Sequence, residues 1–336
     1  MGTPSLTYLQ RQGLYLSIVI PVYRSEACLP ALLYELTLAL APTNWDYEVI
    51  LVNDFSPDHS WQVIESLCKQ YPRAVGVDLR RNFGQDSAIL TGIRLARGQF
   101  IAVMDDDLQH NPKDLPTLVQ VANVGEYDVV FADFGAKHHK LWKRVGSWIN
   151  GKIAEWVLYK PRGLYLSPYK VIRREVADEI SKFHGPSPYI DGLLLQTTWR
   201  MVSIPAEHQE RFAGRSNYGF WRSFGVSARL VFSFSVRPVR AVTWIGLFTF
   251  ALALAAGVLL LGYGGLYPQE FPGELIGEAY ITIAILLGVG LQVFFLGIIG
   301  EYIGRMSLRV NQKPQTSVRT VLNRSEETPR WKSASS

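Results

Sequence analysis

The first part of the chain alternates short, continuous apolar runs with longer amphipathic stretches. The apolar runs predict strands at Leu16–Val22, Tyr47–Asn53, Val75–Leu79, Phe100–Met104 and Asp128–Ala132. The stretches between them carry Leu and Ala at helical spacing and predict helices at Glu26–Leu40, Ser60–Tyr71, Gln85–Ala96 and Leu115–Val124. Continuous apolar strands separated by helices are typical of a parallel sheet covered on both faces, so we expect an α/β fold with a mostly parallel sheet.

Apolar residues are concentrated most strongly in two later segments, Ala241–Tyr263 and Ala279–Gly300, which contain no charged residue. A helix of about 20 residues crosses the hydrocarbon core of a bilayer, so the pattern predicts a transmembrane hairpin. The connection between the segments is acidic and its outer flanks are basic. The positive-inside bias therefore places the N-terminal domain and both termini in the cytoplasm, at the inner membrane. A pair of buried core helices is the competing interpretation.

Arginines and aromatic residues alternate, without any acidic residue, from Arg211 to Arg240. This mixture is typical of a segment that lies in the membrane interface, and it favours the lipid bilayer over nucleic acid as a partner. The predicted organisation is an N-terminal α/β domain at 1–210, interfacial helices at 211–238, the hairpin at 239–302 and a cytoplasmic tail at 303–336. The tail is polar after Lys313, so we expect it to be flexible.

Composition adds two limits to this picture. Charged residues make up 19% of the chain against about 25% in an ordinary soluble domain, which excludes a disordered chain. The two cysteines, Cys28 and Cys68, lie in amphipathic stretches without C-x-x-C spacing, and are expected to be buried thiols in a reducing compartment.

Polar loops follow four of the predicted strands, at Tyr23–Glu26, Asp54–Asp58, Arg80–Gln85 and Asp105–Gln109. Ligands of open parallel sheets bind beyond the carboxyl ends of the strands, so these loops are the candidate site. None of them matches G-x-G-x-x-G or a Walker loop, which argues against the glycine-rich phosphate cradles of dehydrogenases and P-loop enzymes.

The acidic loop Asp105–Gln109 is the strongest candidate for a metal site. If the chain leaves its strand extended, Asp105, Asp107 and Gln109 share one side and Asp106 lies on the other. Mg²⁺ or Mn²⁺ takes one or two protein carboxylates and fills its remaining positions with water and substrate phosphate oxygens. The implied substrate is a nucleoside diphosphate conjugate, and the alternative is a solvated Asp run that caps a helix.

Five motifs give the chain a family resemblance. They are V-I-P-V-Y at Val19–Tyr23, R-N-F-G-Q at Arg81–Gln85, D-D-D-L-Q at Asp105–Gln109, G-R-S-N-Y at Gly214–Tyr218 and G-E-Y-I-G-R at Gly300–Arg305. With them, roughly from Leu16 to Asn323, the chain resembles family 2 glycosyltransferases of the GT-A fold, and among these the polyprenyl-phosphate glycosyltransferases. The resemblance implies inverting transfer of a sugar from a nucleotide-sugar, with uridine as the nucleotide, to undecaprenyl phosphate, and suggests a homotetramer.

The resemblance also implies roles for individual residues. Around the base and ribose of the nucleotide it implies Pro21, Tyr23, Glu26, Asp54 and Asp105. The diphosphate is faced by Arg81, and the metal by Asp105, Asp107 and Gln109; of these, Asp105, Asp107 and Arg81 carry the catalysis. The loop that closes over the donor contains Arg211 and Ser216. The acceptor phosphate is assigned to Lys140, Lys143 and Arg144, with Lys170 as a further candidate.

Two departures from the family pattern bear on the chemistry. The turn Asn53–Ser56 has Phe55 where relatives have glycine, and Leu164 stands where many relatives have an Asp proposed as the catalytic base. A phosphate monoester has a second pKa near 6, so the acceptor is already an anion at neutral pH and needs no strong base. Catalysis would then rest on positioning and charge stabilisation.

Two other functions remain open on the sequence. A processive polysaccharide synthase would share the nucleotide site, although Gln196–Arg200 does not match the Q-x-x-R-W motif of such enzymes. A membrane-anchored scaffold that binds a nucleotide-sugar without turnover is the non-enzyme alternative. For the enzyme, truncation after Arg237 is expected to leave a folded domain that still binds nucleotide.

Overall fold

A computed structural model of the chain describes residues 14–135, 161, 163–185, 188–206 and 315–324, together with part of the residues between 281 and 306. The chain divides into two compact units. One contains Met1–Arg222 and Gln312–Ser336, and the other contains Ser223–Asn311.

The described strands of the first unit form one eight-stranded sheet. The strands are β1 (Leu16–Val22), β2 (Tyr47–Asn53), β3 (Ala74–Leu79), β4 (Phe100–Val103), β5 (Val129–Asp133), β6 (Lys170–Arg173), β7 (Met201–Pro205) and β8 (Val318–Leu322). Their order is β7-β5-β6-β4-β1-β2-β3-β8. The pairs β1/β2, β1/β4, β2/β3 and β5/β7 are parallel, which confirms the predicted mostly parallel sheet.

Two strands run against this direction and were not predicted. Strand β6 lies antiparallel between β4 and β5, and β8 lies antiparallel along β3 at the edge of the sheet. The expectation of a flexible polar tail after Lys313 is therefore wrong for Val318–Leu322, because this stretch pairs with a strand far away in the sequence.

Helices connect the strands of the first unit. The described ones are α1 (Leu29–Leu40), α2 (Ser60–Gln70), α3 (Gln85–Leu95), α4 (Leu115–Val124), α5 (Arg174–Ser181) and α6 (Ile190–Thr197). Short 3-10 turns occupy Ala41–Thr43 and Pro112–Asp114. Helix α1 buries a stripe with helical spacing, Leu29, Leu32, Leu33, Leu36 and Leu40, and thereby contributes one side of the core.

Helix α3 packs closely on the centre of the sheet because it has a glycine at the contact. A Cβ atom at Gly92 would meet Val19 Cγ1 at 2.3 Å and Val52 Cγ2 at 3.2 Å. Only glycine permits this approach, since a side chain would push the helix off β1 and β2. The packing places the start of α3, at Gln85, by the carboxyl ends of these strands.

The predicted membrane region is described only in part. The predicted interfacial segment 211–238 and the first apolar segment, Ala241–Tyr263, lie outside the described residues. The described residues between 281 and 306 are helical. Within the part of the chain that the structure describes, no helix combines the length and the apolar composition needed to cross a membrane.

Candidate active site

The four polar loops predicted to form the site contact one another. The backbone N–H of Tyr23, after β1, donates to Asp106 Oδ2 of the acidic loop at 3.0 Å. The Gln85 side chain, at the start of α3, donates to Asp105 Oδ1 at 2.7 Å. These bonds join the segments that follow β1, β3 and β4, as the topology of a parallel sheet requires.

The acidic loop is a turn rather than an extended segment. Leu108 has a φ of 61°, and the backbone N–H of Gln109 donates to Asp107 Oδ1 at 3.2 Å. Asp106 is turned toward the loop after β1, where Ser25 Oγ donates to its carboxylate at 2.5 Å. Asp105 and Asp106 therefore have different partners, as expected. The cause is the turn, however, and not the extended backbone on which the expectation was based.

Burial and mutual repulsion make this loop unfavourable for negative charge. Burial, as the largest cause, and the neighbouring charges of Asp107 and Asp106 together raise the pKa of Asp105 to about 7. Burial likewise raises the pKa of Asp106 to about 6, against the opposing hydrogen bonds from Ser25 and Tyr23. A bound cation would offset this repulsion and favour the carboxylate forms.

The residues present suit an ion that is completed by its substrate. Among the described residues, no group of three or more His, Cys, Asp or Glu side chains is arranged to hold a metal ion. Asp105 and Asp107 nevertheless interact electrostatically, and Mg²⁺ commonly uses one or two carboxylates plus phosphate oxygens. The two carboxylates therefore fit such an ion, with Gln109 next to them in the turn.

His110 supports the acidic loop and was missed by the sequence analysis. Its Nδ1 accepts the backbone N–H of Asp105 at 3.0 Å, and its Nε2 lies 3.8 Å from Asp105 Oδ2. The ring is buried between Phe134 and Tyr169, with ring centroids 5.4 and 5.1 Å away. Because this packing sets the ring orientation, His110 fixes the backbone at Asp105. Its position directly after Gln109 was the only sequence signal.

Lys170 has a different environment from the one expected for an acceptor ligand. It begins β6, is buried, and forms an ion pair with Asp191 in the first turn of α6. Its ammonium group also lies 5.4 Å from the centroid of the Phe131 ring. The charge of Lys170 lowers the pKa of Asp105, so this lysine compensates carboxylates from within the protein.

Asp54 and Glu26, predicted to surround the base and ribose, fasten neighbouring loops. Asp54 Oδ1 and Oδ2 accept the backbone N–H groups of Phe83 and Gly84 at 2.7 and 2.9 Å. Glu26 Oε2 accepts the backbone N–H of His59 at 2.8 Å, just ahead of α2. Pro21 lies within β1, opposite Val52.

Several residues of these loops face solvent, and three of them have side chains suited to a nucleotide. Tyr23 is 45% exposed and Phe55 is 49% exposed, on the loops that follow β1 and β2. Arg81 is exposed, with its guanidinium 4.6 Å from the centroid of the Phe83 ring. Two exposed aromatic side chains and an arginine at the same edge of the sheet can bind a planar base and a diphosphate.

Of the other residues that the sequence analysis considered for the site, one is described by the structure. Leu164, at the position aligned with a catalytic Asp, is buried. The predicted acceptor and donor-loop residues Lys140, Lys143, Arg144, Arg211 and Ser216 lie outside the described residues.

A mostly parallel α/β sheet with an acidic turn, an arginine and aromatic side chains at its carboxyl edge defines a GT-A-like domain. The model of the family "Glycosyl transferase family 2" matches residues 17–183. A protein of Aeromonas hydrophila named undecaprenyl-phosphate 4-deoxy-4-formamido-L-arabinose transferase is 32% identical over 326 residues, which cover 93% of this chain and 95% of that protein. A Klebsiella pneumoniae protein of the same name is 30% identical over 311 residues, 92% of this chain and 94% of its own. The chain belongs to glycosyl transferase family 2.

A similar solved structure is that of glucosyl-3-phosphoglycerate synthase from Mycobacterium tuberculosis in complex with Mn²⁺, uridine diphosphate and phosphoglyceric acid. It is 16% identical, with a TM-score of 0.49, and the match covers 65% of this chain and 76% of that one.

Proposed function

We propose that this protein transfers a sugar from a nucleoside-diphosphate donor to a polyprenyl phosphate, and that undecaprenyl phosphate is its acceptor. The observation that carries the proposal is the likeness to a relative whose name gives it transfer to undecaprenyl phosphate, over 95% of that relative's length. The described loops agree with it, since they provide carboxylates and an arginine at the edge where a sheet of this kind binds ligands.

The donor occupies the loops that follow β1 to β4. Tyr23 and Phe55 are exposed aromatic groups available to the base, and Arg81 is an exposed cation available to the diphosphate. Asp54 acts indirectly, because its carboxylate accepts hydrogen bonds from the backbone of Phe83 and Gly84 and so positions the loop that carries Arg81. Uridine is our choice of nucleotide, on the resemblance of the chain to its family.

Asp105 and Asp107, with Gln109, would hold a Mg²⁺ or Mn²⁺ ion. Such an ion supplies positive charge to the diphosphate that leaves the sugar. Arg81 adds to that charge from the loop after β3, and Lys170 limits the repulsion among the carboxylates that hold the ion. Gln85 and His110 keep Asp105 in position through its side chain and its backbone.

The acceptor phosphate reacts as an anion. One of its oxygens bonds to the anomeric carbon while the bond from that carbon to the diphosphate oxygen breaks, and the electron pair leaves with the nucleoside diphosphate. A phosphate monoester is largely ionised at neutral pH, so Leu164 in place of an Asp is compatible with the reaction. Attack opposite the leaving group inverts the anomeric centre, with Lys140, Lys143 and Arg144 as phosphate ligands and Arg211 and Ser216 closing over the donor.

The protein is placed at the inner membrane by the hairpin 239–302, with the catalytic domain and both termini in the cytoplasm. The apolar character of both segments supports this location, as do the exposed apolar side chains of Ile281 (62%), Ile285 (60%), Leu296 (60%) and Ile299 (50%) on the described part of the second. Large apolar groups that are exposed in number are typical of a surface that contacts lipid or another protein. A homotetramer completes the proposal.

Transfer of a radiolabelled sugar in proteoliposomes tests the function. The full-length protein is given undecaprenyl phosphate, Mn²⁺ and a panel of uridine-diphosphate sugars, and the label is counted after extraction into organic solvent. We expect one labelled lipid of fixed size. A product that lengthens with time would indicate a processive synthase, and no transfer from any donor would indicate a scaffold.

A further inference from the structure

Arg319, near the start of strand β8, contacts the neighbouring strand β3. Asp78, in β3, is completely buried, and the Arg319 guanidinium forms an ion pair with it, with Nε 2.5 Å from Asp78 Oδ2. A buried carboxylate is costly without a charged or hydrogen-bonded partner. Among the contacts described for Asp78, Arg319 supplies the positive charge.

Hydrogen bonds continue from this ion pair into the loops of the active site. Asn53 Nδ2, at the end of β2, donates to Asp78 Oδ1 at 2.7 Å. Asn53 Oδ1 accepts the backbone N–H of Ser56 at 3.2 Å, and Ser56 Oγ accepts the backbone N–H of Arg24 at 3.2 Å. An unbroken series of polar contacts thus joins β8 to the loops after β2 and β1.

The residues just before β8 are hydrogen-bonded to the loop after β3 and to helix α3. The backbone N–H of Arg80 donates to the Ser317 carbonyl at 2.8 Å, next to the exposed Arg81. On α3, Thr91 Oγ1 donates to Thr316 Oγ1 at 3.0 Å, and Arg94 Nη2 donates to Gln315 Oε1 at 2.8 Å.

The two residues that follow β8 are also hydrogen-bonded to other elements of the domain. Asn323 Nδ2 donates to the carbonyls of Cys68 and Ala74, at 2.5 and 2.9 Å. One guanidinium N–H of Arg324 donates to the Leu95 carbonyl. The whole described segment 315–324 is therefore attached to β3, α2 and α3.

From these contacts we infer that residues 315–324 form a clasp that holds the donor-binding loops in their working arrangement, and that Arg319 is the positioning residue at its centre. The inference rests on the proposed function, because it assigns the loops after β1, β2 and β3 to the donor. It also revises the expected effect of truncation after Arg237. That truncation removes the clasp, exposes the edge of β3 and leaves Asp78 without Arg319, so the shortened domain loses nucleotide affinity.

The test uses the full chain with Arg319→Gln, Arg319→Lys and, as a matched control, Arg200→Gln. Arg200 pairs with Glu126 beside the opposite edge of the sheet, and both side chains are well exposed. Hydrogen exchange by mass spectrometry follows the loops 54–58 and 80–85, with the core strands β1 and β2 as reference. Calorimetry with uridine diphosphate and Mn²⁺ measures the affinity of the donor site.

We expect Arg319→Gln to raise hydrogen exchange in both loops but not in β1 and β2. Binding of uridine diphosphate should weaken by about tenfold, which corresponds to the loss of one charge-assisted hydrogen bond. Arg319→Lys restores part of the affinity, and Arg200→Gln leaves the parental values. Exchange that stays unchanged, or rises equally throughout the sheet, would overturn the clasp.

A second variant covers the case in which Arg319→Gln unfolds the protein. Arg319→Gln combined with Asp78→Asn leaves no buried charge to destabilise the sheet, so a parental melting temperature is expected together with faster exchange in the loops. Parental exchange in this folded double variant would contradict the inference. If the parent chain itself binds no uridine diphosphate, the proposed function fails, while the exchange rates still decide on the clasp.

Discussion

Lys170 and Asp191 form an ion pair in which only 4% and 16% of the respective side chains are exposed. The pair joins β6 to the first turn of α6, and the lysine also acts electrostatically on Asp105 in the acidic loop. One internal cation therefore serves two carboxylates that come from distant parts of the sequence. This arrangement links the stability of the domain to the charge of its active site.

Replacement of Lys170 by Met should destabilise the domain strongly. Asp191 would remain buried without its partner, and breaking a buried pair in this way costs about 3–5 kcal/mol. Chemical denaturation measures the loss. Lys182→Met is the matched control, because Lys182 and Glu179 form a pair with 67% and 57% of the side chains exposed, and such a pair contributes little. Equal stabilities for the two variants would show that the buried pair is not required.

Asp107→Asn should remove transfer while the protein keeps its fold. The amide retains the shape of the side chain but carries no charge for a divalent ion, so we expect a fall of at least about 100-fold in kcat, as for loss of one electrostatic catalytic group. Binding of Mn²⁺, followed by paramagnetic resonance, should weaken in parallel. Asp178→Asn provides the comparison, since Asp178 forms a surface ion pair with Arg174. Full activity in Asp107→Asn would remove this residue from the metal site.

Phe55→Gly should stabilise the domain. Phe55 has a φ of 54°, a left-handed conformation that costs a bulky residue about 1–2 kcal/mol, whereas glycine adopts it without strain. Glycine has more conformational entropy in the unfolded chain, which offsets part of this stabilisation. The free energy of unfolding should therefore rise by about 0.5–1 kcal/mol. Asn44 has the same φ of 54°, and because asparagine tolerates it, Asn44→Gly should change little. A loss of stability in Phe55→Gly would mean that the ring makes a compensating contact.

Cys68 should resist alkylation in the native protein. Burial raises the pKa of its thiol to about 11, with the charge of Glu65 adding to the effect, so at pH 8 only about one thiol in a thousand is ionised. Iodoacetamide labelling at pH 8, counted by mass spectrometry with and without denaturant, checks this. The thiol ionises more readily in the unfolded chain, so stability should fall as pH rises from about 9 to 11. Equal labelling rates in both states would contradict the burial of Cys68.

The central strands of the fold could be predicted closely from the sequence. Strands β1 and β2 and helix α4 occupy the residues expected, because a fully buried strand is a continuous apolar run and α4 carries a regular helical stripe. Strand β6 escaped prediction because it contains only two apolar residues between Lys170 and Arg173. Strand β8 escaped because its partner lies far away in the sequence, and local patterns carry no information on such pairing.

The same difference applies to the site. The position of Asp105, Asp107 and Arg81 at one edge of the sheet could be predicted, because each follows a recognisable strand. The contacts that support the acidic loop could not be predicted. Gln85 and His110 reach Asp105, and Asp191 reaches Lys170, only through tertiary packing. The burial of Lys170 belongs to this class as well, because an isolated lysine in a sequence is ordinarily exposed.

The position of β8 has a consequence for the folding of the protein during its synthesis on the ribosome. Arg319 follows Asp78 by 241 residues, so at a synthesis rate of roughly 5–20 residues per second the edge of β3 waits on the order of 10–50 seconds for its final neighbour. An open strand edge is a template for aggregation during that interval. Chaperones that shield nascent chains would therefore be most valuable to this enzyme late in translation, after its central strands have emerged.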